Sequence, residues 1–114
     1  MNENAKKLVE ALRSGEYEQT GGRLRDDSGY CCLGVACDLY TKETGEGEWV
    51  GNSFKIGSLM SKGTLLPKVQ TWLNFRVHNG GIDGATALSA YNDEGWTFEQ
   101  IADLIESEPE GLFV

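Results

Sequence analysis

From Cys31 to Tyr40 the chain is apolar almost all the way round. Cys31, Cys32, Leu33, Val35, Ala36, Cys37, Leu39 and Tyr40 leave no polar stripe at helical spacing. A helix with no polar face has to be covered on every side. In a chain of 114 residues this places one buried helix at the centre and makes the remaining segments its covering. The pattern predicts that helix over 31–43, ended by Thr44-Gly45, with glycine supplying the left-handed stop. Gly34 lies inside it at a cost of about 1 kcal/mol relative to alanine. The economical reason for a glycine there is close approach of another backbone or of a ligand.

The segments on either side read as that covering. Ala5, Leu8, Val9 and Leu12 share one face of a helix over 5–14, with Asn4 as its N-cap and Gly15 as its stop. Arg23-Leu24-Arg25, then the turn chemistry of Asp26-Asp27-Ser28-Gly29, then Tyr30 predict a short hairpin. The middle, 45–63, reads as loop with strand-like fragments at Trp49-Val50 and Phe54-Lys55-Ile56. Pro67 suits the first turn of a short helix bearing Val69, Trp72 and Leu73. A further helix is expected over 85–91, stopping near Asn92. Thr97 and Gln100 stand at capping-box spacing, with Trp96 and Ile101 at staple positions, ahead of the stripe Phe98, Ile101, Ala102 and Ile105. The apolar tail Gly111-Leu112-Phe113-Val114 is expected to dock as an edge strand or to meet a partner. The fold class is therefore α+β: a small, helix-rich single domain, 1–114, with a central buried helix, a short hairpin or small antiparallel sheet, and a C-terminal helical hairpin.

Charge and cysteine usage narrow the function classes. Ten Lys and Arg stand against 18 Asp and Glu, a formal net charge of −8. An evenly acidic surface repels duplex phosphates and anionic membranes alike, and no apolar stretch approaches the roughly 18–20 residues of a span. The polar start Met1–Lys7 is not followed by an apolar run of the secretory kind. Three clustered cysteines, Cys31, Cys32 and Cys37, are not the even, dispersed set of a disulfide scaffold. These readings predict a reduced, cytoplasmic protein with no cofactor, no duplex DNA and no membrane among its partners.

Two strings resemble hallmarks of a family of small phage and prophage proteins. One is Gly29-Tyr30-Cys31-Cys32-Leu33-Gly34-Val35-Ala36-Cys37-Asp38-Leu39-Tyr40, preceded by Arg23-Leu24-Arg25. The other is Tyr91-Asn92-Asp93-Glu94-Gly95-Trp96-Thr97-Phe98-Glu99-Gln100-Ile101-Ala102. The resemblance covers roughly 8–106, and the YCCLGV string is its specific part. It implies no catalytic residues. What it implies about function is counter-defence, for which capture of a nucleotide immune signal is a recurring strategy.

The residues themselves point to an anion site where the hairpin feeds the central helix. In a strand, Arg23 and Arg25 would share a face, and arginine is the side chain best matched to phosphate. Gly21 and Gly22 let backbone amides approach an anion. The helix start around Cys31 adds unpaired N–H groups, and Tyr30 or Trp49 offers a ring for a base. The expected ligand-binding set is Gly22, Arg23, Arg25, Tyr30, Cys31 and Trp49, for a small anionic molecule such as a cyclic nucleotide or an ADP-ribose derivative, with a homo-oligomer sharing the pocket and the apolar tail sealing it. The competing account has the two arginines paired with Asp26, Asp27 or Asp38. A thiolate nucleophile at Cys31 or Cys32 lacks a nearby base, since the only histidine is the distant His78. The cysteines also lack zinc-site spacing, and Asn92-Asp93-Glu94 lacks the spread of a calcium loop. The two other function classes are an acidic protein–protein inhibitor of a host factor and a small nucleotide hydrolase. The hydrolase is the weaker, because no acid, base and nucleophile stand at recognisable spacing.

Overall fold

In a computed structural model, which describes residues 1–84 and 86–114, the chain is an α+β fold of helices and two small antiparallel sheets. In chain order the elements are α1 (Glu3–Arg13), β1 (Arg25–Asp26), β2 (Gly29–Tyr30), α2 (Cys32–Thr44), β3 (Glu48–Val50), β4 (Ser53–Ile56), β5 (Leu59–Ser61), α3 (Pro67–Leu73), α4 (Leu88–Asp93) and α5 (Phe98–Glu106). No helix among the described residues is long and apolar enough to cross a membrane.

Helix α2 is the buried centre that its composition requires. Cys32 through Asp38 are all buried, and α1, α3 and α4 pack around it. Cys31 is its N-cap, and Gly45, in the left-handed region at φ 74°, closes it with its N–H on the Thr41 carbonyl. Gly34 proves to be a backbone contact: a Cβ there would overlap the Leu24 carbonyl oxygen. That carbonyl accepts the Cys31 N–H at 3.0 Å, which fixes the hairpin onto the start of α2.

Several boundaries move for identifiable reasons. The cap of α1 is Asn2, whose side chain accepts the Ala5 N–H at 2.8 Å; Asn4 lies inside the first turn and donates to the Trp72 carbonyl instead. The hairpin is shorter than the alternation of 23–25 suggests, because Arg23 lies in a bend ahead of β1. The middle is a regular three-stranded meander in the order β3-β4-β5, with Phe54 facing the core and two-residue turns at Gly51-Asn52 and Gly57-Ser58. Its third strand, Leu59-Met60-Ser61, carries no alternation at all, which is why the sequence reads there as loop. Helix α4 begins at Leu88; the expected start at Ala85 falls outside the described residues.

The C-terminal part follows its sequence signals closely. Thr97 and Gln100 form a full capping box at the start of α5, and Phe98, Ile101, Ala102 and Ile105 are buried. Trp96 lies against Tyr91, with ring centroids 4.3 Å apart. The tail docks as an edge: Phe113 bridges Phe75 antiparallel, and the Leu112 carbonyl accepts the Arg76 N–H at 2.8 Å. Leu112 is fully buried in its own chain and Phe113 rests on Phe75, leaving Val114 exposed at 83%. The apolar surface expected to seal a shared pocket is therefore used inside the chain.

Candidate functional site

The residues expected to bind an anion divide into two environments. One is closed. Asn92, buried at the end of α4, accepts the Cys32 N–H at 3.2 Å and the Gln19 side-chain amide at 2.9 Å, and donates to the Thr20 carbonyl at 2.7 Å. Next to it, the Asp93 carboxylate accepts the Gly22 N–H at 2.8 Å. The Gly34 N–H is taken by the Cys31 sulfur at 3.4 Å. Backbone donors that the sequence offers to an anion are thus filled by the chain's own oxygens and sulfur, and the two hallmark strings meet here. Cys31 lies beneath the hairpin, and burial pushes its thiol above the ordinary cysteine range, as it does for Cys32 and Cys37. Raised pKa values leave these cysteines as neutral packing groups at neutral pH.

The other environment is open. The Arg25 guanidinium lies 4.8 Å from the Trp49 ring centroid and 6.0 Å from that of Tyr30. Among the described residues neither Arg25 nor Arg23 has an ion-pair partner within 4.0 Å. Of the three carboxylates proposed to neutralise them, Asp26 and Asp38 are engaged elsewhere. Asp26 accepts from the Thr20 hydroxyl and from the Ser28 and Gly29 amides. Those bonds, the Thr20 one first, hold it below the usual carboxylate pKa, and Arg23 adds only a lesser attraction.

Asp38 is engaged as well. It accepts from the Tyr17 hydroxyl at 2.7 Å and the Trp49 indole N–H at 3.3 Å, and pairs with Lys42 at 3.0 Å. Burial works to raise the Asp38 pKa, but the bonds from Tyr17, Lys42 and Trp49 outweigh it and bring the group below its ordinary value. Burial and the same bond raise the Tyr17 phenol to about 12. Edge-to-face contacts then run Tyr17–Tyr30 at 5.1 Å, Tyr30–Trp49 at 5.9 Å and Trp49–Phe54 at 5.1 Å, carrying the rings from the surface to the core.

A depression of about 530 Å³ opens beside Arg25 and Tyr30, with Glu16, Glu18, Asp26 and Asp27 on its walls. The 18–20 segment lies along β2, with the Tyr30 N–H on the Glu18 carbonyl and the Thr20 N–H on the Tyr30 carbonyl, and this brings the two glutamates to the rim. Of the expected set, Arg25 and Tyr30 line it, and Trp49 packs against the Arg25 guanidinium without lining it. Gly22, Arg23 and Cys31 do not line the depression. Sequence reading missed Asp38 as the group that orients Trp49, although a carboxylate inside an otherwise apolar run, four residues before Lys42, is a visible signal. It also read Asn92 only as a helix stop, and no local pattern marks it as a buried hub.

A family model described as "Domain of unknown function (DUF8296)" matches residues 1–109, and the chain belongs to that family. No curated protein and no solved structure matches.

Proposed function

We propose that this member of a domain family of unknown function captures a small, anionic, nucleotide-derived ligand at Arg25, as a phage-type counter-defence protein that sequesters an immune signal. The observation that carries the reading is Arg25 itself, a guanidinium held over Trp49 beside an open depression, with no ion pair among the described residues. Stacking on an aromatic face leaves the planar edge of a guanidinium available for paired hydrogen bonds to a phosphate. The carboxylates on the walls suit the rest of such a ligand, because ribose hydroxyls and base amino groups donate to carboxylates. The edge of Tyr30 gives a base a contact surface.

The experiment is a thermal-shift screen against cyclic dinucleotides, cyclic trinucleotides, ADP-ribose derivatives and NAD. Saturation at a thousandfold excess over Kd stabilises the fold by about 4 kcal/mol. The expected result is a shift of several degrees with one ligand class, which chromatography then recovers unaltered. Recovery of a cleaved product would assign the hydrolase class instead.

One observation favours a second reading, an acidic inhibitor of a host protein. Four carboxylates and a single arginine line the depression, a sign suited to a basic partner. A flat ligand screen together with salt-sensitive binding of a basic host protein, lost on charge reversal at Glu16 and Glu18, would select it.

A further inference from the structure

The acidity of this chain is not evenly spread. All 18 Asp and Glu lie outside residues 49–82, a stretch that contains Lys55, Lys62, Lys68 and Arg76. It folds into most of the meander and α3. Lys68 and Arg76 are paired, with Glu46 and Asp83, while Lys55 and Lys62 have no ion-pair partner among the described residues. The same region exposes the large apolar side chains Val50 (45%), Leu59 (53%) and Met60 (51%).

Register explains the exposure of Val50 and Met60, whereas Leu59 pairs with Ile56 on the core-side face and is exposed at the sheet edge. Cross-strand partners share a sheet face, and successive residues alternate between faces. Trp49 and Phe54 are partners on the core side, so Glu48, Lys55 and Met60 form a row on the outer side, with exposed Val50 beside it opposite the buried Ser53. Strand β5 is an edge of its sheet, and Lys62 follows it, exposed. A bare apolar edge strand is a surface that proteins ordinarily cover or charge.

We propose that this basic, apolar outer face docks on the acidic rim of the depression in a second copy of the chain. The two surfaces are complementary in charge: Lys62, with Lys55 offset by its cross-strand neighbour Glu48, on one, and Glu16, Glu18 and Asp27 on the other. A face-to-face pairing of two meanders would set the lysines against one another, so the contact is head-to-tail, between two different surfaces. Single-stranded nucleic acid is the less suitable occupant. The aromatics of 49–82 are Trp49, Phe54, Trp72 and Phe75, and all are half-buried or buried, so the face has no exposed ring on which bases stack. The assembly has a consequence for the ligand site that rests on the proposed function. Lysines of one copy offset part of the negative charge around Arg25 of the next, and assembly strengthens the attraction of the depression for an anion.

Light scattering on the full chain without any ligand is the test. The expected mass exceeds one chain, rises with protein concentration, and falls as salt goes from about 0.1 M to about 1 M and the screening length drops from about 10 Å to about 3 Å. Lys62→Glu, Met60→Glu and Glu18→Lys each alter an exposed side chain and each returns the mass to a single chain. An equal mixture of Lys62→Glu and Glu18→Lys restores assembly, because each variant keeps the surface the other has lost. A wild-type mass of one chain at every concentration overturns the proposal. So does loss of assembly in neither single variant, or a wild-type monomer that binds oligo(dT) through Lys62. An assembly that forms while the ligand screen stays flat leaves this inference standing and removes the ligand reading alone.

Discussion

Two parts of this molecule present the same chemistry to a reader of the sequence, and folding treats them oppositely. Around Cys32 and Gly34, backbone donors cluster at the start of the central helix, and Asn92 and the Cys31 sulfur occupy them. At Arg25 a side-chain donor of higher charge stands on Trp49 and is left without an ionic partner among the described residues. The difference comes from burial. A buried N–H without a partner costs about 1–3 kcal/mol, so a chain that buries such groups supplies acceptors from within. A guanidinium at the surface has water, carries no such penalty, and stays available to a ligand. Donors at a helix start are therefore evidence for a site only while they face solvent.

The closed side is where substitutions should cost most. Gly34→Ala would drive a Cβ into the Leu24 backbone, which is itself bonded to the Cys31 N–H. Overpacking ordinarily costs about 1–3 kcal/mol, and more where the obstacle is backbone. The expected outcome in urea denaturation is a loss above that range or a chain that does not fold. A stable Gly34→Ala protein would mean that the hairpin separates from α2, and the contrast between the two sides would collapse.

Asn92→Leu comes next. It leaves the Cys32 N–H and the Thr20 carbonyl without partners, and at about 1–3 kcal/mol for each group the expected loss is about 2–6 kcal/mol. Hydrogen exchange at the Cys32 amide checks the mechanism as well as the size, since its protection should fall more than that of amides in α5.

Asp38→Asn tests the support beneath the open side. The charge-assisted bonds from Tyr17 and Trp49 weaken, while the pair with exposed Lys42 counts for little. The expected loss is about 1.5–2 kcal/mol at neutral pH. The sign with pH follows from the depressed Asp38 pKa. Its stabilisation is complete above the unfolded value of 3.8 and drains as pH falls below it. Stability of Asp38→Asn should thus fall less steeply than wild type on the acid side. Equal slopes would show that Asp38 is not the group through which acid loosens Trp49.

What could be read in the sequence, and what could not, follows the range of the interactions. The all-apolar run of α2, its glycine stop, the glycine at position 34 inside it and the capping box at Thr97 each show in residues within a few positions of one another, and each left a pattern. The meander escaped because Leu59-Met60-Ser61 does not alternate, its strand being defined by pairing with β4. Asn92 escaped because its partners lie some sixty to seventy residues away at Gln19, Thr20 and Cys32. At the candidate site the residue types were legible, but which donors would be consumed depended on those distant contacts. A single net charge of −8 also concealed the acid-free stretch over 49–82, since the total averages two unlike surfaces.

Arg25→Ala should have the smallest effect on stability and the most informative one on function. The guanidinium contributes a cation–π contact worth about 0.5–1 kcal/mol at an exposed site, and no ion pair among the described residues depends on it. The melting temperature should move by no more than that contact implies, while ligand-induced stabilisation disappears. Arg25→Lys separates charge from shape, because an ammonium restores the charge without the planar edge that pairs with a phosphate. Partial recovery of binding in Arg25→Lys would assign the site to charge alone, and none would assign it to the fork. A loss of several kcal/mol in Arg25→Ala would instead make Arg25 a structural member of the hairpin, of the same kind as Asn92, and the two sides of the molecule would no longer differ.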